Sequence, residues 1–320
     1  MILVTGGAGY IGSVTVSELV TRGYEVVVLD DLSTGHRDVV PTSIPFVQGD
    51  IADQALLSSV FADYGVSAVV HFAAKSLVGE SVKDPLLYVE SNLCKTSAML
   101  RVMQRHNVHA LVFSSSAAVY GEPDATPITE DHRKQPISPY GLSKWWIEQV
   151  LYWCHTAWGL SPISLRYFNA AGAVPSLSLR ERHNPETHLL PRVLSAWAEG
   201  EPAQVFGTDY PTSDGSAIRD YVHVQDLATA HVLALEATLK GQAGAYNVGT
   251  GRGYSVLEIL AAVEQATSTL LPRTYLPRRV GDPAVLVADS TRLQRSLGWR
   301  PQQSDLSTIV SSTLAALKTG

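Results

Sequence analysis

Charge is scarce in this 320-residue chain: 17% of its residues are Asp, Glu, Lys or Arg, and they leave a formal net charge of −6. So weak and slightly negative a balance excludes a protein that grips nucleic acid or an anionic membrane by its overall field, and basic residues that meet an anionic ligand must be few and local. Cysteine is scarcer still. There are two, Cys94 and Cys154, with no CxxC pair and no metal-ligand spacing around either. That excludes a disulfide framework and a cysteine-based zinc site, and no metal ion is called for. Both thiols fall in helical patterns, so buried, unpaired thiols in a reducing cytoplasm are the expectation. Also missing are a basic leader segment, an apolar run long enough to span a bilayer, an internal repeat and any low-complexity stretch. Met1-Ile2-Leu3-Val4 reads instead as a buried strand that starts at once.

What is present is ordinary globular material, 45% hydrophobic, in a chain long enough for one large domain or two moderate ones. Short β-branched runs at Ile2–Val4, Glu25–Leu29, Phe46–Gln48, Ala68–His71, Ala110–Ser114 and Ile163–Arg166 alternate with helical segments near Gly12–Arg22, Gln54–Tyr64, Tyr88–His106 and Tyr140–Thr156. That alternation predicts an α/β fold, a Rossmann-type doubly wound parallel sheet over residues 1–168. From 169 to 320 glycine and proline are scattered and the strands shorten, to Val205–Gly207, Asp220–Val222, Tyr246–Val248 and Thr274–Leu276. This half reads as a smaller α+β substrate lobe over the C-terminal edge of the sheet, where open α/β folds bind ligands. The apolar stretch Gln225–Thr238 can return to flank the first domain.

The first strand runs straight into Gly6-Gly7-Ala8-Gly9-Tyr10-Ile11-Gly12, which opens a helix. Glycines there permit a tight turn and close backbone approach to a pyrophosphate, and the positive helix end points free N–H groups at it. Asp30 ends the second strand, eighteen residues after Gly12. A carboxylate at that place accepts bonds from ribose hydroxyls and repels a 2′-phosphate, so the dinucleotide is NAD rather than NADP. Asp50-Ile51, after the third strand, is open between an adenine contact and a plain loop.

In Tyr140-Gly141-Leu142-Ser143-Lys144 the i,i+4 spacing sets a phenol and an ammonium on one helix face, with Ser138-Pro139 as cap and first helical residue. A free phenol has a pKa of about 10, and bringing it to neutrality takes roughly 4 kcal/mol, which nearby Lys144 and a positive nicotinamide can supply. On spacing alone the pair is open between a catalytic dyad and surface packing. The apolar strand Leu111-Val112-Phe113 ends in Ser114-Ser115-Ser116, whose last hydroxyl can both donate to and accept from a substrate oxygen.

Together the glycine loop, Asp30, Ser116 and Tyr140/Lys144 resemble the extended short-chain dehydrogenase/reductase family. More narrowly, His71-Phe72-Ala73-Ala74, Val78-Gly79-Glu80-Ser81, Ser114 through Gly121, Arg166-Tyr167-Phe168-Asn169, Arg219 through Val224 and Arg278 through Asp282 are similar to the UDP-galactose (UDP-glucose) 4-epimerases. The likeness runs in order along nearly the whole chain. It implies that Tyr140 takes the proton from a sugar 4-hydroxyl held by Ser116, that C4 gives hydride to NAD, and that Lys144 binds the nicotinamide ribose. It implies NAD contacts at Gly6, Gly9, Tyr10, Ile11, Gly12, Asp30, Asp31, Leu32, Ser33, Thr34, Gly35, Asp50, Ile51, Phe72, Ala73, Ala74, Lys75, Ser76, Asn92, Ser114 and Phe168. UDP-sugar contacts are implied at Asn169, His188, Leu189, Gln204, Val205, Phe206, Arg219, Arg279 through Asp282, and Leu286.

Dehydratase relatives carry an Asp-Glu pair after the strand-end serine or threonine, for expelling water. Here Ala117 and Ala118 follow Ser116 and can do neither acid nor base work, which favours epimerisation. Leu286 stands where a bulky side chain would overpack against an N-acetyl group, so a UDP-N-acetylhexosamine, UDP-uronate or UDP-pentose remains an alternative substrate. A non-catalytic NAD or nucleotide-sugar sensor would have lost Tyr140, Lys144 or Ser116, and all three are present. The resemblance also implies a homodimer built on the Tyr88–His106 and Tyr140–Thr156 helices, to which Trp145, Trp146 and Trp153 would bring apolar area.

Overall fold

In a computed structural model of the protein, which describes residues 1–279 and 282–318, the early β-branched runs align as parallel strands. They are β1 (Ile2–Thr5), β2 (Val26–Asp30), β3 (Phe46–Gln48), β4 (Ala68–His71), β5 (Ala110–Ser116) and β6 (Ser161–Tyr167). Their spatial order is β6-β5-β4-β1-β2-β3, so the winding reverses between β1 and β4, and a crevice for ligands opens at the strands' C-terminal ends. Side-chain alternation sends Ile2, Val4, Val28, Val70 and Val112 into one core layer and Leu3, Val27, Leu29, Val69 and Leu111 into the other. Each layer is closed by helices: Tyr10–Thr21 and Val224–Thr238 on the first face, Gln54–Asp63, Lys95–Arg105 and Pro139–Trp158 on the second. Strands buried on both faces explain why these runs read as continuously apolar rather than alternating.

The later strands are β7 (Asn169–Ala171), β8 (Ala203–Phe206), β9 (Ile218–His223), β10 (Gly244–Val248), β11 (Gly253–Ser255), β12 (Arg273–Leu276) and β13 (Val285–Leu286). β9 is flanked by β7, β11 and β13, and β8 pairs with β12. Tyr246–Val248, placed in the second lobe from the sequence, instead lies within β10, which pairs in parallel with β6 as the seventh strand of the large sheet. Tyr246 and Val248 share their core with Val4, Leu293 and Trp299, so the chain returns to its first half after residue 224. The Val224–Thr238 helix, apolar on nearly every face, packs against Tyr10–Thr21.

Two further expectations are corrected. Tyr88–His106 is not one regular helix: wider turns over Val89–Cys94 separate Pro85–Tyr88 from Lys95–Arg105. Inside those turns Asn92 is buried and bonds the backbone N–H and C=O of Lys75, a tertiary demand that local helix propensity does not anticipate. Cys94, two residues on and so on the opposite side, is exposed, and Cys154 is half-buried. No helix among the described residues is long and apolar enough to cross a membrane.

Candidate active site

A cleft of about 1800 Å³ runs from the glycine loop, across the C-terminal ends of the strands, to the second lobe. Gly6, Gly9, Tyr10, Ile11, Gly12, Asp30, Asp31, Ser33, Thr34, Gly35, Asp50, Ile51, Phe72, Ala73, Ala74, Lys75 and Ser76 line one end. Ser114, Ser116, Tyr140, Lys144, Phe168 and Asn169 line the middle, and His188, Leu189, Gln204, Phe206, Arg219, Arg279, Asp282 and Leu286 the other end. Three sequence-derived contacts are not brought to the wall. Asn92 is buried behind Lys75, Val205 points from β8 into the lobe core beside Leu194 and Val263, and Leu32 packs against the first core layer. Val280 and Gly281 lie outside the described residues.

The glycine loop is a cradle that side chains would fill. Gly6 has a φ of +71°, and a Cβ on it would stand 2.5 Å from the Ala73 nitrogen. A Cβ on Gly12 would stand 2.2 Å from the Gly6 carbonyl oxygen. Asp30 accepts from the Ala8 and Leu32 amides, both at 2.9 Å. Burial pushes its carboxyl above the ordinary range, and the two amide bonds work against that. A carboxylate has about four acceptor positions, so two amides leave capacity for ribose hydroxyls. These residues therefore fit a dinucleotide carrying a free ribose. Gly12→Ala is expected to weaken NAD binding about 10- to 100-fold, because the obstructing atom is backbone and the strain of overpacking runs to about 1–3 kcal/mol; calorimetric titration with NAD checks this.

At the centre, Ser138 caps the Pro139–Trp158 helix by accepting from the Gly141 amide at 3.2 Å. Gly141 lets that helix meet the strand-end turn, since a Cβ there would come within 2.4 Å of the Ala118 carbonyl oxygen. This close approach brings the Tyr140 phenol within reach of the Ser116 hydroxyl. Burial raises the Tyr140 pKa, and the Ser116 hydroxyl only partly opposes it. With protein groups alone the phenol thus moves up, and the lowering expected from Lys144 and a positive nicotinamide together does not come from Lys144 by itself. Burial is the larger effect; the Lys144 amine donates to the Ser114 carbonyl at 2.8 Å and stands 5.9 Å from the Tyr140 ring centre. Burial brings Lys144 down to about 7, with the Glu148 carboxylate working in the opposite direction.

Lys144 has a consequence for stability. An unfolded lysine titrates at about 10.4, so between the folded value of about 7 and that value the unfolded chain binds more protons. Holding the charged amine buried penalises the fold fully below about pH 7, and stability is regained as pH rises toward about 10. Lys144→Met, measured by urea unfolding across that window on nucleotide-stripped protein, is expected to lose this gain. An unchanged difference between the two ends of the window would contradict it.

Around the dyad, Tyr88 meets Tyr140 edge-on at 6.3 Å, and the Tyr167 hydroxyl bonds Ser114. His71, bonded to Thr5 at 2.7 Å and Thr96 at 2.8 Å, is held neutral by burial, its pKa pushed down to about 3. Lys75 presents its amine 4.0 Å from Glu80. At the far end Arg219 bonds Asp282, Arg279 lies 4.0 Å over the Phe206 ring, and Arg192 donates to Gln204 at 2.6 Å. Leu286, like Trp145 and Phe168, packs against the buried cluster of Ala117, Val119, Tyr120 and Ile128. The arrangement offers a proton carrier, an oxygen holder and forked cationic donors for a diphosphate along one continuous wall.

Sequence reasoning missed two groups. Glu148, eight residues after Tyr140, is bonded by Ser115 at 2.5 Å and by Arg166, whose Nη1 reaches the Tyr120 hydroxyl at 3.0 Å. Its signal was the continuation of the Tyr140/Lys144 face by one more helical turn. The other is the set Glu181, His183 and Glu186, which with His188, expected only as a UDP-sugar contact, puts four possible metal ligands in eight residues on the cleft wall. That spacing was in plain view.

Residues 2–249 match the NAD dependent epimerase/dehydratase family. The chain is 49% identical to the UDP-glucose 4-epimerase of Halalkalibacterium halodurans, over 97% of this chain and 93% of that protein. Its fold is similar to the crystal structure of the Brucella ovis UDP-glucose 4-epimerase in complex with NAD, with TM-score 0.94, 44% identity, and coverage of 98% of this chain and 97% of that one. It is likewise similar to the Bifidobacterium longum UDP-glucose 4-epimerase in complex with NAD+ and UDP, at TM-score 0.93 and 39% identity, covering 99% and 98%.

Proposed function

The chain belongs to the NAD-dependent epimerase/dehydratase family, and from that premise we propose that it is an NAD-dependent UDP-hexose 4-epimerase that interconverts UDP-galactose and UDP-glucose. The observation that carries this reading is the Ser116–Tyr140 pair in the middle of the cleft, followed by Ala117 and Ala118 in place of acid and base groups. The glycine loop, Asp30 and Lys144 would hold NAD, which when bound would supply the reversible acceptor for the C4 hydride. Tyr140 takes the proton from the sugar 4-hydroxyl and later gives it back, while Ser116 holds that oxygen in reach. Because burial raises the Tyr140 pKa, positive charge close to the phenol is what draws its proton away. Arg219 and Arg279 hold the diphosphate by forked hydrogen bonds, and Asp282 the uridine ribose. Ala117 and Ala118 leave the C6 hydroxyl without a proton donor, so the keto sugar turns over and is reduced on its other face instead of losing water.

UDP-galactose labelled with deuterium at C4 tests this in ordinary water. The reading requires UDP-glucose that retains the label at C4; exchange of the label with solvent contradicts it. The smaller Leu286 side chain on the cleft wall favours a second reading, a wider range of UDP-sugars, which a panel including UDP-N-acetylglucosamine separates.

We further infer a homodimer in the cytoplasm. Trp146, Tyr152 and Trp153 are 40%, 59% and 65% exposed on the Pro139–Trp158 helix, large apolar area that a second copy would cover. Light scattering at micromolar concentration is expected to give twice the chain mass; a monomer there removes the inference. The two free cysteines, lacking any disulfide among the described residues, support a reducing compartment.

A further inference from the structure

We propose that Glu181, His183, Glu186 and His188 form a closed site for one divalent transition-metal ion of the zinc class, on the loop that leads into the Leu189–Glu199 helix. Their ligand atoms all lie within 4.8 Å of one another. The Nδ1 atoms of His183 and His188 both face Glu181 Oε1, the first at 2.9 Å and the second as a hydrogen bond, and lie 4.0 and 3.8 Å from Glu186 Oε1. A tetrahedral ion with ligands at about 2.0–2.2 Å sets those ligands roughly 3.4 Å apart. The present spacings straddle that value, so small side-chain rotations make the site.

Two features point to an ion rather than to a plain hydrogen-bonded cluster. His183 Nδ1 is shielded from solvent and, although 2.9 Å from the Glu181 carboxylate, has no aligned hydrogen bond. One carboxylate oxygen is also crowded by two imidazole nitrogens, whose rings meet at 5.4 Å, while the Glu186 carboxylate stands opposite. An ion between the four relieves the crowding and takes up the His183 Nδ1 that lacks an aligned hydrogen bond. Two carboxylates balance a doubly charged ion, and imidazole with carboxylate suits zinc, cobalt or nickel better than magnesium or calcium.

Four protein ligands close the coordination sphere, so the ion would be structural. The loop is already tied to the first half of the chain: His36 contacts the Arg182 carbonyl at 3.0 Å, and Arg182 pairs with Asp38 at 2.7 Å. The metal would fix this bridge across the cleft mouth.

Titrating the chelator-treated full-length protein with Co2+ and then Zn2+ is the test. The expected result is one equivalent of cobalt with the visible bands of a tetrahedral site, displaced by zinc. Removing a ligand should weaken binding by at least about 100-fold, since second-shell changes alone cost about 10- to 100-fold; His183→Ala and Glu181→Gln each read this. Both variants must keep wild-type circular dichroism and NAD binding. Should either fail to fold, anomalous scattering from zinc-soaked wild-type crystals decides, with a peak expected between the four side chains. No stoichiometric binding, unchanged affinity in folded variants, or a zinc peak elsewhere overturns the proposal.

Discussion

Tyr140→Phe is expected to lower turnover by about 100- to 10,000-fold, the range for removing a general acid–base group, while NAD binding stays close to wild type. The phenylalanine ring fills the same space against Tyr88, and the glycine cradle and Asp30 line one end of the cleft while Tyr140 lines its middle. What is lost is the hydroxyl beside Ser116 that the proposed mechanism uses to carry the substrate proton. Steady-state kinetics on UDP-galactose, beside a calorimetric NAD titration, separates the two effects. Near wild-type turnover would remove Tyr140 from the chemistry. Loss of NAD binding would make it a structural residue of the cofactor pocket.

The second large effect concerns stability. Glu148 and Arg166 form an ion pair with side chains 6% and 5% exposed, bonded besides to Ser115 and Tyr120. Burying such a pair gains little over apolar packing, but breaking it strands one charge in the interior at about 3–5 kcal/mol. Arg166→Met is therefore expected to lower the urea unfolding free energy by about that amount. Replacing both partners, as Arg166→Met with Glu148→Leu, is expected to recover much of the loss, because no charge is left unpaired. A double variant as unstable as the single one would show that the loss comes from packing around Tyr120 and Trp145 rather than from the stranded carboxylate.

The candidate site was legible where its signals are local. The glycine loop and Asp30 stand out in sequence because a tight glycine turn directly after a strand leaves a cradle that side chains would fill. Tyr140 and Lys144 share a helix face, and Ser116 ends an apolar strand, so their meeting in one cleft follows from the parallel sheet. What the sequence hid depends on partners far along the chain. Asn92 leaves the cleft wall because Lys75 claims its side chain, and the same demand widens the helix turns around it. Val205 turns inward because β8 alternates, burying Ala203 and Val205 while Gln204 and Phe206 reach the cleft. β10 joins the large sheet because Tyr246 and Val248 complete a core begun by Val4, a contact across more than half the chain. The rise in the Tyr140 pKa was not legible, since helix spacing does not show how deeply the phenol is buried or that the Lys144 amine bonds a strand carbonyl.

One measurement bears most directly on the central claim. Purified protein is incubated with UDP-galactose, with no reductant added, and the sugar nucleotides are separated by chromatography. Epimerisation predicts UDP-glucose, approached to the same final ratio from either sugar, with the bound NAD in its starting redox state at the end. UDP-galactose left unchanged in the presence of NAD, a product short of one water, or reduction of NAD in step with product would contradict it.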